Sequence, residues 1–287
     1  MMNLDLSWQQ AAAAAGGLAA AAWGLRRASR TAEPRRAVRL AAAGGFVRES
    51  ALVVALFALW QFAGSFSAMG PGGALGRARW LWHAERVLRL PSEAWLQRLV
   101  LPHPLVVQAF DLYYDILHFP VLIGCLIWLF VRHRERYGQF RSTLVAFTGI
   151  CLLIQLIPVA PPRMLPGFVD TAAFYGQSVY TTGFGADQLS AMPSVHVGWA
   201  ILVAIAVIGT ATSRWRWLAI AYPAVTTIAV VVTANHFWLD GIAAAAVLGA
   251  VLAAQAAASR LLGHRDAGPG TGDPAERISS AVCKASL

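Results

Sequence analysis

Charged residues are scarce in this sequence. Asp, Glu, Lys and Arg together make up 13% of its 287 residues, against about a quarter in a soluble domain. With 57% of the chain hydrophobic, that scarcity excludes a cytosolic enzyme, a disordered chain and a nucleic-acid module with a folded aqueous core. Lysine is nearly missing. All but one of the 23 basic residues are Arg, the exception being Lys284, a bias of coding more than of function. Cysteine is scarce as well, and three residues make no disulfide framework. Cys125 and Cys151 lie inside apolar runs, where they read as packing, and Cys283 lies in the tail. There is no internal repeat and no HExxH-like metal signature.

What fills the chain is apolar sequence. A bilayer core needs about 20 apolar residues per helix. Seven runs reach that length, roughly residues 8–25, 49–69, 105–131, 142–160, 193–212, 217–235 and 240–262. The first is rich in Ala and Gly, and its flank MMNLDLS carries no basic residue. It therefore reads as a span and not as a signal peptide. The net charge of +9 sits in short clusters between the runs. Segments 26–48, 132–141, 213–216 and 260–287 hold 17 of the 23 basic residues, whereas 70–104 and Arg163 on the alternate face hold six. Cytoplasmic loops are enriched in Lys and Arg, which places the first set inside and the N-terminus outside. Trp8, Trp80, Trp82, Trp95, Trp215, Trp217 and Trp238 fall near the ends of runs, as an aromatic belt requires. The expected fold is an all-α polytopic membrane protein.

The outer segment 70–104 is too polar to span. Pro91 divides it, with Ser92 placed to cap the second half. Leu81, Ala84 and Leu88 share one face, with Glu85, Arg86 and Arg89 largely off it, so the first half reads as an amphipathic helix on the membrane surface or as an ordinary structured loop. The Gly/Pro/charge-rich tail, residues 263–287, reads as disordered and cytoplasmic.

Ionisable groups at membrane depth need a reason to be there. APPRMLP places Arg163 just beyond the fourth run. SAMPSVHVGW opens the fifth with Ser190, Ser194 and His196, and TANHFWLDG joins the sixth to the seventh with Asn235, His236 and Asp240. By the topology above all of them face the outer boundary. If TANHFWLD is helical, His236 and Asp240 lie four apart on one face. A carboxylate on one ring nitrogen fixes the tautomer and leaves the other as nucleophile or base. Pro193 sets a helix start whose free N–H groups form an anion site. Ser190 and Ser194 add hydroxyls, and His196 is placed to donate a proton to a leaving oxygen. Arg163 offers a planar fork for phosphate oxygens. Nucleophile, acid and anion clamp together suit phosphoryl transfer without a metal or other cofactor.

A second cluster, FDLYYDILHF, places Asp111, Tyr114, Asp115 and His118 in the outer half of the third run. As function, it would bind an acceptor hydroxyl or polyol head group; as structure, it would bond neighbouring helices. Asp115 reads as the structural member. Gln155, in an apolar run, reads as an interhelical hydrogen bonder.

PSVH followed by HFWLD, with PPR upstream of both, resembles the type-2 phosphatidic acid phosphatase superfamily over about residues 80–260. Within it, the chain looks most like the inositol phosphorylceramide synthase branch, an inositolphosphotransferase. The resemblance implies a six-helix bundle, here with an extra N-terminal helix, acting at the outer face of the cell membrane. It implies that His236 forms a phosphohistidine, that Asp240 orients it, and that His196 protonates the leaving group. The phosphatase pattern also has a Lys seven residues before the loop Arg, and Ser-Arg seven and six residues before the catalytic His. Here those positions are Leu156, Ala229 and Val230. A phosphomonoester near pH 7 carries close to two negative charges and a diester one, so a site with fewer cations favours head-group transfer. The expected substrate is a phospholipid or polyprenyl phosphate, with the bilayer as partner and no nucleic acid. A lipid phosphate phosphatase, acting on phosphatidate or a polyprenyl (pyro)phosphate, is one alternative, and a non-catalytic lipid-binding membrane protein another.

Overall fold

In the computed structural model, residues 7–67, 73–176 and 188–266 are described. The expected disordered tail lies almost entirely outside those residues, as does Cys283. Among the described residues the chain is helical, and its one β-bridge joins Val159 to Ser190. The chain divides into two compact units, Met1–Leu248 and Gly249–Leu287. The described part of the second is helical as far as Asp266.

The chain opens with two helices, α1 (Trp8–Ser29) and α2 (Pro34–Ser67). Two shorter helices follow, α3 (Ala74–Val87) and α4 (Glu93–Val100). Then come α5 (Pro104–Arg132), α6 (Arg134–Gln155), α7 (Val195–Thr210), α8 (Arg214–Val232) and α9 (Trp238–Asp266). Five of these, α2, α5, α6, α8 and α9, contain stretches long and apolar enough to cross a bilayer. The chain is a multi-pass membrane protein by that measure. The 16 residues of α7 are apolar but shorter, and α1 is not among the five.

Element boundaries differ from the apolar runs in instructive ways. The basic segment 26–48 is not one loop: α2 already begins at Pro34, a residue preorganised for a first turn. Arg35, Arg36, Arg39 and Arg48 therefore extend a helix whose later turns are apolar. Hydropathy marks where a helix becomes apolar, not where it starts. The fourth run likewise overshoots, because α6 ends at Gln155 and the apolar residues after it form an extended turn. At Pro91 the sequence reading and the fold agree: Ser92 is the N-cap of α4 and accepts from Trp95 N–H at 3.4 Å.

Of the apolar face expected in α3, Leu81 is buried and Leu88, at the helix end, is exposed, while Glu85 is buried as well. The buried positions of α3 are Ala74, Ala78, Leu81 and Glu85, one helical stripe, while Trp80, Val87 and Leu88 are exposed. The stripe packs on Val159, Ala160, Leu165, Ala191 and Phe237. An apolar-face rule assumes water outside and hydrocarbon inside. Here the polar group is the one that needs the interior, for a partner described below.

Polar bonds pin helix to helix. Tyr113 Oη and Thr226 Oγ1 join α5 to α8 at 2.8 Å, and Trp199 Nε1 donates to Thr148 Oγ1 at 3.0 Å, joining α7 to α6. Glu49 on α2 accepts from Tyr137 Oη at 3.0 Å and pairs with Arg141, both on α6. Such bonds are the usual adhesive where both lipid and neighbouring helices are apolar. Gln155 bonds Pro193 O at 3.1 Å and Ser190 O at 3.4 Å, so its partner is the backbone leading into α7 and not a helix flank. Cys125 and Cys151 are buried free thiols. In the middle of α5, residues Tyr113–Leu117 form a π turn, a local insertion often found at functional positions.

At Gly198 the backbone of α7 packs directly on α6. A Cβ on Gly198 would stand 2.0 Å from Cζ of Phe147, a ring with no exposed surface. Gly198→Ala is expected to lose about 1–3 kcal/mol of stability by overpacking. A thermal melt of the detergent-solubilised protein should show it, with Phe147→Leu in the same chain restoring much of the loss.

Candidate active site

Two helix starts and one loop supply the site. The chain leaves α8 at Val232, and Ala234 takes a left-handed backbone with φ +54°, strained for a residue bearing a Cβ. The reversal lets the amides of Asn235 and His236 both donate to Val230 O, at 2.9 and 3.0 Å. His236 thus precedes α9 and is not inside a helix, yet Asp240 still reaches it. Asp240 is the third residue of α9, and its Oδ2 accepts from Phe237 N–H at 2.8 Å, the acidic half of a capping box.

That same oxygen lies 3.3 Å from His236 Nδ1, and Ala191 O lies 2.7 Å from it. Both neighbours of Nδ1 are acceptors. Nδ1 therefore carries a hydrogen, and in the neutral ring it is Nε2 that holds the lone pair.

Asp240 also holds the second helix start, because its backbone carbonyl accepts from Ser194 N–H at 3.0 Å. Ser194, fully buried, is the N-cap of α7, and its Oγ accepts from Val197 N–H at 3.4 Å. The helix therefore begins after Ser194 and not at Pro193, since a capping hydroxyl satisfies an amide that proline's ring cannot. Ser190 stands outside α7 altogether, in the bridge with Val159.

His196 lies in the first turn of α7. Its ring centroid is 6.0 Å from that of His236, 4.5 Å from Tyr114 and 4.6 Å from His118. Tyr114 comes from the π turn of α5, and His118 follows directly after it. Both are buried, and both ring nitrogens of His118 are without a hydrogen-bond partner. Asp111 is buried on the same helix: Oδ1 accepts from Thr171 Oγ1 at 2.9 Å, and Oδ2 has no partner. Asp115, partly buried, is within electrostatic reach of Arg163 and Asp111.

Arg163 is buried behind His236. Its amide donates to Ala234 O at 2.9 Å, its Nη1 donates to Asn235 Oδ1, and its Nε lies 3.4 Å from Asp170 Oδ2. Asn235 in turn donates to Thr233 Oγ1 at 2.8 Å. The loop arginine, the asparagine and the strained turn form one bonded unit next to His236 in the chain.

His196, His236, Asp240, Arg163, Asn235, Tyr114 and His118 are thus brought into one neighbourhood. Ser194 caps a helix at its edge, and Asp111 lies farther along α5 against Thr171.

Sequence reasoning passed over two acidic residues. Glu85 and Glu93 have no exposed surface. Glu85 Oε1 accepts from Leu239 N–H at 2.8 Å, and Glu93 Oε2 pairs with Arg86 Nη2 at 3.1 Å. Burial, with the Glu93 carboxyl beside it, pushes the Glu85 carboxyl up to about 9. Their i and i+8 positions straddle the Pro91 break, so no helical period relates them.

Comparison with known proteins gives one result: a family model described as PAP2 superfamily matches residues 79–254, more than half of the chain. No curated protein and no solved structure matches.

If Asp240 holds the tautomer of His236, Asp240→Asn should lower turnover by about a hundredfold or more while the melting temperature of the solubilised protein moves little. Full turnover in Asp240→Asn would remove the orienting role.

Proposed function

The chain belongs to the PAP2 superfamily, a family of phosphatase and phosphotransferase-type lipid enzymes, and from that premise we propose that it moves a phospho-head group from a lipid donor to a lipid or polyol hydroxyl. The observation that carries this reading is the environment of His236. Its Nδ1 is held by two oxygens, so the neutral ring presents its lone pair at Nε2, with the His196 ring 6.0 Å away.

In the first step His236 Nε2 attacks the phosphorus of the donor. The bond from phosphorus to the departing oxygen breaks, and His196, as imidazolium, gives that oxygen its proton. In the second step an acceptor hydroxyl attacks the phosphohistidine, the P–N bond breaks, and neutral His196 takes the hydroxyl proton. Asp240 stabilises the charge that His236 carries while phosphorylated. Arg163, with Asn235, and the hydroxyls of Ser190 and Ser194 serve the phosphate oxygens.

Two features favour transfer over hydrolysis of a monoester. Leu156 is 48% exposed, and Ala229 and Val230 are packed inside, so three positions where the phosphatase pattern sets polar or cationic groups supply none. A singly charged diester needs fewer cations than a doubly charged monoester. The second feature is the pair of unpartnered ring nitrogens of His118 beside His196, with Asp111 Oδ2, also unpartnered, farther along the same helix. Buried polar atoms without partners are rare, and an acceptor polyol would satisfy them. This is the inositolphosphotransferase-like reading, with the site on the outer face of the cell membrane and α1 as an additional span beside a six-helix bundle.

Reconstitution in vesicles with mixed labelled lipids, followed by mass analysis, tests it. A new phosphodiester lipid is expected from wild type and none from His236→Ala. Trapping should yield an acid-labile, alkali-stable phosphoprotein that His236→Ala lacks. Free inorganic phosphate as the only product would establish the phosphatase instead. Identical behaviour of wild type and His236→Ala would return the protein to a non-catalytic lipid-binding role.

A further inference from the structure

The buried carboxyls of Glu85 and Glu93 belong to no step of the chemistry above, yet they touch its frame. Glu85 Oε1 holds the amide of Leu239, the residue next to Asp240. Glu93 Oε2 is held by Arg86, whose Nη2 also donates to Pro91 O at 3.0 Å. Pro91 O in turn accepts from Trp238 Nε1 at 2.9 Å. The outer segment α3–α4 is therefore bolted onto the first turn of α9 at two adjacent residues, Trp238 and Leu239.

The remaining oxygens decide how the bolt is held. Glu85 Oε2 and Glu93 Oε1 are buried and receive no donor from any other group, although the two side chains are in hydrogen-bond contact. Two carboxylate oxygens cannot bond to each other without a hydrogen between them. Two bare charges in contact at zero exposure would repel strongly. One shared proton satisfies both oxygens and removes one charge.

We propose that Glu85 is a positioning residue, and that the proton it shares with Glu93 locks the outer segment onto the start of α9 and so fixes the His236–Asp240 pair. The proposal rests on the reading of that pair as the reacting groups. The charged groups around the pair are few. Arg86 on α3 compensates Glu93, and Asp240 on α9, carrying His236, is within electrostatic reach of both glutamates. Arg77 is engaged with Pro158 O, and Arg163 with Asn235 and Asp170. No cation other than Arg86 is bonded to either carboxyl among the described residues.

The pH dependence follows with a definite sign. An ordinary Glu titrates near 4.5, whereas Glu85 is pushed up to about 9 by burial and by Glu93. The folded protein keeps a proton that the unfolded chain releases, so stability from this group declines as pH rises from the ordinary value and is lost through about 9. Above that, a second charge opens the contact and the start of α9 loses its clamp.

The test uses full-length protein, solubilised and in vesicles, as wild type, Glu85→Gln and Glu85→Ala. Gln keeps an acceptor for Leu239 N–H and offers Glu93 an amide hydrogen that does not titrate. Glu85→Gln is expected to retain most of the turnover at pH 7 and to lose the alkaline fall near pH 9. Its melting temperature should also decline less between pH 7 and pH 10 than that of wild type. Glu85→Ala is expected to lose more than tenfold in kcat with little change in KM, and if it does not fold, the Gln profiles decide alone. An alkaline limb and a melting profile identical in wild type and Glu85→Gln would overturn the proposal. Absence of any phosphotransfer by wild type, with the difference in melting profiles intact, would instead count against the functional reading and leave the clamp standing.

Discussion

One carboxyl group organises this protein's polar interior. Asp240 uses Oδ2 to hold His236 Nδ1 and to cap its own helix at Phe237, and uses its backbone carbonyl to hold the amide of Ser194 at the start of α7. Two helices that are distant in sequence thereby begin at one point. His196 lies in the first turn of α7, and His236 in the hydrogen-bonded turn that leads into α9. Inside a bilayer-sized bundle the arrangement is also economical in polar groups, since the bonds that close the helix ends are the ones that aim the histidines.

How much of this was legible in the sequence depends on which physical rule was in force. Apolar runs announce helices in lipid, and five of those expected recur as helices able to cross a bilayer. Helix starts are a different matter. They are fixed by caps, and neither Pro34 nor Ser194 is visible to a hydropathy window. The i, i+4 spacing of His236 and Asp240 led to the contact now seen, although for an altered reason. His236 is outside the helix, and the strained Ala234 turn brings it back under Asp240. An alanine with a left-handed backbone leaves no mark in composition. Glu85 was misjudged because amphipathic reasoning assigns charge to the outside. Only its partner, the amide of Leu239 about 150 residues onward, explains its burial, and a one-dimensional pattern cannot contain that partner.

Membership of the PAP2 superfamily accounts for the paired histidines but not for the rest of the lining. Where the phosphatase pattern places Lys, Ser and Arg, this chain has Leu156, which is exposed, and Ala229 and Val230, which are buried. It instead carries Tyr114, His118 and Asp111 on one helix. His118 stands 4.6 Å from His196, ring centroid to ring centroid, with both of its nitrogens buried and without a hydrogen-bond partner.

The π turn at Tyr113–Leu117 gives α5 one residue more than a regular helix would fit. Each residue of an α-helix advances about 100° around the axis, so the surplus residue sets the angular phase between the two halves of α5. Remove it, and the ladder closes into regular i to i−4 bonding. The segment from Pro104 to Leu112 would then swing a quarter-turn or so against everything after His118. Asp111 would leave Thr171 while the imidazole of His118 stayed in place. Length along that stretch is therefore a stricter requirement than side-chain identity.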